Sequence, residues 1–359
     1  MAIQGNILKS CIIAIMVNDT TDSRAKNRWV MLPIGLVLLF LANLSIGSIH
    51  IPIIDIITIL GGGTSGNPVW TDIVWDFRMT KALTCLLAGG ALSVGGLQMQ
   101  TLFRNALAGP DVLGLTAGAS LAVSLIFMGQ AFGMNLVVVS MPWVVATAAS
   151  LGCVAIFLII LVFANQLKDN TSLLIIGLMI GAATASLVSV IQFLSNAEDQ
   201  KSFLLWTFGS LGRLNWLEIQ ILAMILLIGG SLAIFSTKSL NAWLLGDHYA
   251  QSLGVNLKRA RFSIIVSTCL LTGAVTAFCG PIAFVGLAVP HLTRLVINTN
   301  NHRVLIPAVI LSGGALMLFC DIIAQLPGSA YVLPINAITA ITGAPVVVWI
   351  VLRAKRVYI

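Results

Sequence analysis

Residues that could do chemistry are scarce in this chain, and they cluster in short polar segments between long apolar runs. The densest segment is LLGDHYAQSLGVNLKRAR, residues 244–261, which holds an acid, a histidine, three cations and two glycines. A second is GPIAFVGLAVPHLTRLVI, residues 280–297, in which glycine and proline interrupt an apolar run. A Gly-Pro pair at membrane depth frees backbone groups that protein or a water-filled cavity must satisfy. These two segments are therefore the first candidates for a functional role.

Catalytic chemistry has little support in the sequence. The phosphate-binding loop G-x-x-x-x-G-K-[ST] has no match, because no lysine follows a glycine. A redox membrane protein would place paired histidines inside its spans, whereas the four histidines lie near span ends or in loops: His50, His248, His291 and His302. The cysteines show no CxxC spacing, and we interpret them as small buried hydrophobes. We expect no catalytic residue, no cofactor and no metal site, and any ATP hydrolysis must come from a partner subunit.

The amino-acid composition of the chain indicates what kind of elements position these segments. The chain is 58% hydrophobic and only 9% charged, whereas soluble domains carry about 25% charged residues. The bulk of the protein must therefore lie in lipid. Long continuous apolar runs exclude barrel strands, which alternate apolar and polar residues. The net charge of +7 resides in short loops rather than on a soluble basic face, so we expect no nucleic-acid partner.

The fold class predicted from these runs is an all-α polytopic membrane protein with ten transmembrane helices. About 20 apolar residues are needed for each crossing. The predicted spans are 29–49, 80–102, 112–131, 136–164, 171–195, 216–236, 262–279, 281–297, 304–326 and 334–352.

The orientation of the spans follows from the lysines and arginines. With the N-terminus in the cytoplasm, the outside segments hold only four of the 19 cations: Arg78, Lys81, Lys201 and Arg213. This bias predicts that both termini are cytoplasmic. We expect residues 1–28 to form a poorly ordered cytoplasmic tail and residues 29–359 to form a single transmembrane domain. Segment 244–261 then lies in the cytoplasm, between the sixth and seventh spans.

Segment 244–261 also has residues that typically begin and end a short helix, which would lie outside the membrane. Asp247 is placed to cap its start, and Gly254 to end it in a left-handed conformation. Ala250 and Leu253 are expected to share one small apolar face, and Asn256 to cap the next helix. A helix bounded by glycines with an apolar face predicts a docking partner.

Other features of the spans concern packing and possible ion coupling. Small residues recur at helix-packing spacing in 88–96, at Gly177 and Gly181, and in 312–315, which predicts closely packed helices. Asp321 lies inside a predicted span, near its outer end. A single acid at that position gives weak support to ion-coupled transport.

Four blocks resemble a known family. They are RMTKALTCLLAGGALSVGGLQMQTLFRNALAGPDVLGLTAGAS (78–120), LLGDHYAQSLGV (244–255), GPIAFVGLAVPHLTRLV (280–296) and LPINAITAITGAPVVVWIVLR (333–353). The chain is similar to FecCD-type permease subunits of bacterial iron–siderophore, haem and cobalamin ABC importers. The resemblance covers nearly everything after residue 29.

The resemblance implies a permease in the bacterial inner membrane. It would be a homodimer that works with two cytoplasmic ABC ATPase subunits and a periplasmic or lipoprotein substrate-binding protein. Its substrate would be a metal chelate. An iron–siderophore is the most frequent substrate in the family, and haem and cobalamin are less frequent. The chain itself would catalyse nothing. Which chelate it carries is not readable from the sequence.

The resemblance also assigns roles to single residues. The ATPase-coupling residues would be Leu245, Gly246, Asp247, Ala250, Leu253 and Gly254. The residues that dock the binding protein would be Arg78 and Lys81. The pathway and gating residues would be Asn105, Gly280, Pro281, Pro290 and His291.

The chain departs from the family pattern at several of these places. Ala106 stands where the family has proline, and Lys81 where it has arginine, which loses the bidentate fork. The outer departures are Gln325, Val332 and Asn336, which affect the expected detail of docking and gating.

Two other classes of function are compatible with a membrane protein of this composition. An ion-coupled secondary transporter would move substrate alone under an ion gradient. A non-transporting scaffold or sensor would neither copurify with an ATPase nor accumulate a substrate.

Overall fold

The structure, a computed structural model, describes residues 23–47, 49, 51–63, 67–129, 142–167, 170–325 and 331–354. All regular secondary structure in these ranges is helical. The α-helices are α1 (Ser23–Ser45), α2 (Ile53–Leu60), α3 (Pro68–Asp72), α4 (Thr80–Phe103), α5 (Leu115–Met128), α6 (Pro142–Gln166), α7 (Asn170–Leu194), α8 (Ala197–Thr207), α9 (Trp216–Phe235), α10 (Thr237–Trp243), α11 (Asp247–Ser252), α12 (Leu257–Cys279), α13 (Val285–Ile297), α14 (His302–Ala324) and α15 (Ile335–Ala354). A π-helical segment (Ile73–Met79) joins α3 to α4, and a 3₁₀ turn (Pro110–Leu113) precedes α5.

Each predicted span overlaps one of these helices, and the all-helical membrane class is confirmed. Residues 48, 130–131, 136–141 and 326 of the predicted spans lie outside the described residues. Six helices of the described chain are long and apolar enough to cross a membrane: α4 with its lead-in from Pro68, α6, α7, α9, α12 and α14. The apolar parts of α1, α5, α13 and α15 are shorter. Crossing by all ten, and the cytoplasmic location of both termini, stay predictions.

The tail predicted for residues 1–28 falls mostly outside the described residues. The structure describes the chain from Ser23, where α1 begins. Residues 23–28 of the predicted tail are therefore helical.

Asparagine side chains cap the starts of several helices. In α9 the Asn215 Oδ1 accepts from the backbone N–H of Glu218 at 2.9 Å, and the Glu218 carboxylate accepts from the N–H of Asn215 at 2.9 Å. This reciprocal pair satisfies two backbone donors that the helix leaves free. Helices α8, α12 and α14 begin with a simpler cap, in which an asparagine side chain accepts from one backbone N–H of the first turn: Asn196, Asn256 and Asn301.

Helix α4 lies at the centre of the helical bundle, and 83% of its span is buried. It crosses its neighbours at glycines. A Cβ atom at Gly96 would lie 1.7 Å from the carbonyl oxygen of Gly286 in α13, and one at Gly89 would lie 2.2 Å from that of Gly313 in α14. These crossings bring backbone against backbone, and they confirm the close packing that the small-residue pattern predicts.

Candidate functional site

The short helix α11 has the ends that the sequence predicts for a coupling element. Gly246, which precedes it, has φ +106° and ψ 158°, a conformation that only glycine adopts readily. At the other end Gly254 is left-handed, with φ +82°. The N–H of Val255 donates to the carbonyl of Ala250 at 3.0 Å and that of Gly254 to the carbonyl of Gln251 at 2.9 Å, the two bonds of a Schellman motif. The predicted left-handed end is confirmed.

The predicted capping role of Asp247 is wrong. Gly246 occupies the capping position, and no side-chain oxygen caps the backbone N–H groups at the start of α11. The Asp247 carboxylate instead accepts from the indole Nε1 of buried Trp243 at 2.7 Å. It also pairs with Arg104 at the end of α4. Asp247 therefore connects α11 to α10 and α4, because its carboxylate is turned toward these elements rather than back along α11.

The predicted shared face of Ala250 and Leu253 is also wrong. Ala250 is fully buried, whereas Leu253 is 64% exposed. The exposed apolar surface is formed instead by Leu245, Tyr249 and Leu253, which follow one another at a spacing of four residues. We call these three residues the apolar stripe. Leu245 precedes the non-helical Gly246 and Leu253 follows the last residue of α11, so helical periodicity could not group these residues with Tyr249.

The loop between α4 and α5 lies against both α11 and α13. Arg104, at the end of α4, is left-handed with φ +46°. The Asn105 side-chain oxygen accepts from the backbone N–H of Leu107 at 2.9 Å, which holds the loop in a turn. The His291 Nε2 in α13 lies 2.7 Å from the carbonyl oxygen of Ala106. The structure therefore brings together the predicted pathway residues Asn105 and His291.

A second polar connection joins α4 to α13 inside the bundle. The Gln100 amide donates to the carbonyl of Leu287 at 3.1 Å, and its oxygen accepts from Arg294 at 2.8 Å. Pro290 lies buried in α13 between these contacts. A movement of α4 at this end must therefore displace α13 or break these bonds.

At its other end, α13 begins after the predicted Gly280-Pro281 break. Gly280 has φ +76°, and Phe284 just before α13 is left-handed at φ +68°. The N–H of Ser210 donates to the carbonyl at the end of α12 at 2.8 Å. The Asn336 side-chain oxygen accepts from the N–H of the residue before Phe284 at 3.0 Å. Other parts of the protein thus satisfy backbone groups freed by the break, as the membrane environment requires.

The predicted pathway residues therefore fall in two places rather than one. Pro290 and His291 lie at the middle of α13, with Asn105 in the loop that contacts His291, and Gly280 and Pro281 precede the start of the helix. The six residue steps from the start of α13 to His291 separate these regions by about 9 Å at 1.5 Å per residue.

An open cavity of about 520 Å³ lies beside the Gly280 junction, and we call it the outer pocket. Its wall includes charged and polar side chains, small residues of the 209–212 turn and apolar residues around the start of α15. The lining residues are Gly47, Ile49, Ile73, Phe77, Arg78, Lys81, Gly209, Ser210, Leu211, Gly212, Asp321, Ala324, Gln325, Val332, Leu333 and Ile335.

Arg78 lines the outer pocket, but its guanidinium is used inside the protein. It is buried and donates to the carbonyl oxygens of Leu44 at 2.6 Å, Ser45 at 2.9 Å and Ile49. These bonds fix the turn after α1 against the lead-in to α4. In this conformation the guanidinium is turned inward, and the docking role of Arg78 stays a prediction.

Lys81, the second predicted docking residue, forms an ion pair inside the same pocket. Its Nζ lies 3.1 Å from the Oδ2 of Asp321 in α14. The same carboxylate oxygen accepts from Asn43 at 2.8 Å and from Gln325 at 2.6 Å. The sequence reasoning missed this cluster, and a polar Asn43 within an apolar span was the available signal.

The comparisons with known proteins extend over almost the whole chain. A family model described as the FecCD transport family matches residues 35–353. The hemin transport system permease protein HmuU of Yersinia pestis is 32% identical over 326 residues, which cover 90% of this chain and 96% of that protein. The vitamin B12 import system permease protein BtuC of Escherichia coli O9:H4 (strain HS) is 33% identical over 288 residues, with 79% and 84% coverage.

A solved structure agrees with these sequence relatives. It is described as an inward-facing conformation of a metal-chelate type ABC transporter, and it is 27% identical to this chain. It superposes with a TM-score of 0.78 and covers 90% of this chain and 98% of its own. The predicted resemblance and the inner-membrane location are thereby confirmed, and the chain belongs to the FecCD transport family.

Proposed function

We propose that this chain is the permease subunit of an ATP-driven importer that carries a metal chelate across the inner membrane into the cytoplasm. The named relatives are permease proteins of a hemin and a vitamin B12 import system. The related solved structure is an ABC transporter of metal-chelate type. In this proposal the chain forms a homodimer with ten spans in each subunit, and both termini are cytoplasmic.

The observation that carries the proposal is the apolar stripe on α11. Leu245, Tyr249 and Leu253 are more than half exposed, Tyr249 within α11 and the two leucines just outside its two ends. Exposed apolar residues grouped on a short element outside the membrane mark an interaction site. The occupant we propose is a groove of an ABC ATPase subunit, which would cover the stripe in the assembled transporter.

The contacts of α11 provide a route from the ATPase to the transport pathway. Asp247 connects α11 to the end of α4 through Arg104. His291 then connects the loop after α4 to α13. Helix α13 runs to the Gly280 junction beside the outer pocket. ATP binding would therefore shift the relative stability of inward- and outward-facing states through differential contacts along this route.

Haem is the substrate we propose to test first. HmuU, a hemin permease, aligns over 90% of this chain. Hemin and vitamin B12 are both metal-bearing macrocycles, so these relatives support a bulky metal chelate as the cargo. The expected iron–siderophore substrate has no support from the names of these relatives.

The coupling role is tested by Leu253→Asp in proteoliposomes that contain the permease, its ATPase and its binding protein. A buried charge at the interface would cost several kcal/mol. We therefore expect ATP-driven haem uptake to fall at least tenfold and stimulation of ATP hydrolysis by the loaded binding protein to be lost. The matched control is Gln251→Asp, which adds the same charge two residues away, at an exposed residue outside the apolar stripe.

Two results would contradict the proposal. If uptake and stimulation both survive Leu253→Asp, α11 is not the coupling element. If the purified chain alone moves substrate under an ion gradient, without ATP, the protein is a secondary transporter instead.

A further inference from the structure

A second cavity, of about 500 Å³, opens where α9 meets α10 and faces the start of α14. We call it the basic groove, and it is separate from the outer pocket. Its two cations come from different helices, Lys238 in the first turn of α10 and Arg303 in the first turn of α14. Both side chains are exposed, and within the described residues neither forms a salt bridge. The cavity lining contains no acidic residue that would neutralise them.

Apart from Thr237 and His302, the rest of the basic groove is apolar. It runs along the apolar parts of α9 and α14. Phe235, at the end of α9, is 81% exposed, and Ile310, two turns into α14, is 42% exposed. Pro307 lies between the cations and Ile310 on α14 and is also exposed. The groove thus combines a basic end near the helix termini with an apolar wall that extends toward the membrane interior.

We propose that the basic groove binds an acidic glycerophospholipid of the cytoplasmic leaflet, with its phosphate between Lys238 and Arg303 and an acyl chain along Phe235 and Ile310. Basic pockets between transmembrane helices on the cytoplasmic side suit anionic lipid headgroups. A free phosphate would use only the basic end, and a zwitterionic lipid would gain little from two uncompensated cations. The assignment to the cytoplasmic leaflet follows the proposed orientation of the chain, whereas the preference for an acidic lipid does not depend on it.

The position of the basic groove connects lipid binding to the coupling helix. The His302 ring lies next to Arg303, and its Nδ1 is 2.8 Å from the side-chain oxygen of Asn241 in α10. Its Nε2 is 2.9 Å from the hydroxyl of Thr101 in α4. Since α10 leads directly into α11, a lipid that bridges α10 and α14 would stabilise the attachment of the coupling helix.

The test is lipid binding to the purified chain, measured by native mass spectrometry during titration with phosphatidylglycerol, phosphatidylethanolamine or inorganic phosphate. Each cation near a lipid surface contributes about a fivefold gain in affinity. We therefore expect Lys238→Gln/Arg303→Gln to lower phosphatidylglycerol affinity about 30-fold. The control Lys258→Gln/Arg259→Gln removes the same charge from exposed positions at the start of α12 that do not line the basic groove, so its loss of affinity should be much smaller than that of the groove variant.

A second pair of variants tests the apolar wall without changing charge. Phe235→Ala should weaken phosphatidylglycerol binding several-fold and preserve the preference over phosphatidylethanolamine. Its control is Phe193→Ala, in α7, where the ring is 87% exposed but lies outside the basic groove. All four residues changed in the test and control charge variants are exposed, so each variant should elute as a folded, monodisperse species.

Three outcomes would overturn the proposal. The control charge variant could lose as much affinity as the groove variant, which would mean diffuse surface attraction. Phosphatidylethanolamine could bind as tightly as phosphatidylglycerol, which would mean an apolar contact only. Inorganic phosphate could compete fully at equal concentration while Phe235→Ala has no effect, which would make the groove an anion site rather than a lipid site.

Discussion

Replacing Asp321 by leucine removes the carboxylate on which three side chains of the outer pocket converge. Lys81 would lose its counter-charge, and Asn43 and Gln325 would each lose a hydrogen-bond acceptor. The Asp321 side chain is 5% exposed and that of Lys81 is 18% exposed, so water replaces little of what is lost. Breaking a buried ion pair by removing one partner costs about 3–5 kcal/mol. We expect a loss of about 4 kcal/mol in the free energy of unfolding.

The two partners of this ion pair should not be equivalent. Lys81→Met leaves the Asp321 carboxylate with two amide donors, so we expect a loss of only about 1–2 kcal/mol. In the double variant Lys81→Met/Asp321→Leu, apolar groups replace both charges, which is often nearly neutral. The two amides stay without their acceptor, and we expect a total loss of about 2 kcal/mol.

The assay is a double-mutant cycle on reversible unfolding in mixed detergent micelles. The expected values give a coupling energy of roughly 3–4 kcal/mol between positions 81 and 321, which is far above the additivity error of about 0.5 kcal/mol. Lys201→Met is the control, because it removes an exposed lysine from α8, and its effect should lie within about 0.5 kcal/mol. Strictly additive effects of the two substitutions would refute the interpretation of a buried, interacting pair.

Two further predictions concern backbone contacts in the helix bundle. Gly96→Ala should abolish folding or greatly reduce the yield of folded protein, because the new Cβ would lie 1.7 Å from a carbonyl oxygen of α13. The control Gly230→Ala should fold normally, since its new Cβ meets nothing within 4 Å. The measurements are membrane yield and monodispersity after purification, and equal yields of the two variants would contradict the close crossing of α4 and α13. Asn336→Ala should destabilise the protein by about 1–3 kcal/mol, since the backbone N–H of Ala283 loses its acceptor at 3.0 Å. Asn336→Asp keeps an acceptor oxygen and serves as the control, and an unchanged unfolding free energy in the alanine variant would show that water replaces this bond.

Much of the fold follows from features that are local in sequence. Long apolar runs placed the helices, because a chain in lipid must satisfy its backbone groups within each span. Glycine and asparagine also act through their own backbone positions, so the left-handed Gly254 and the cap at Asn256 were correctly predicted. The small-residue spacing of 88–96 predicted close packing for the same reason, although not which helices would cross there.

The parts of the site that sequence could not predict depend on contacts between distant segments. Asp247 is a residue type that caps helices and stands at the expected position, yet its carboxylate bonds to Trp243 and Arg104 instead. The environment of Ala250 depends on how α11 lies on the bundle, which no spacing within six residues reveals. The partner of Asp321 across 278 residues, Asn43, could be identified only once α1 and α14 were seen together.

The glycine crossings of α4 have a consequence for how this protein can change during evolution. At most packed positions a larger side chain on one helix can be offset by a smaller one on the facing helix. Gly96 and Gly89 face main-chain carbonyl oxygens of Gly286 and Gly313, and no substitution shortens a carbonyl. A suppressor screen that starts from Gly96→Ala should therefore recover reversion to glycine rather than a second-site change in α13.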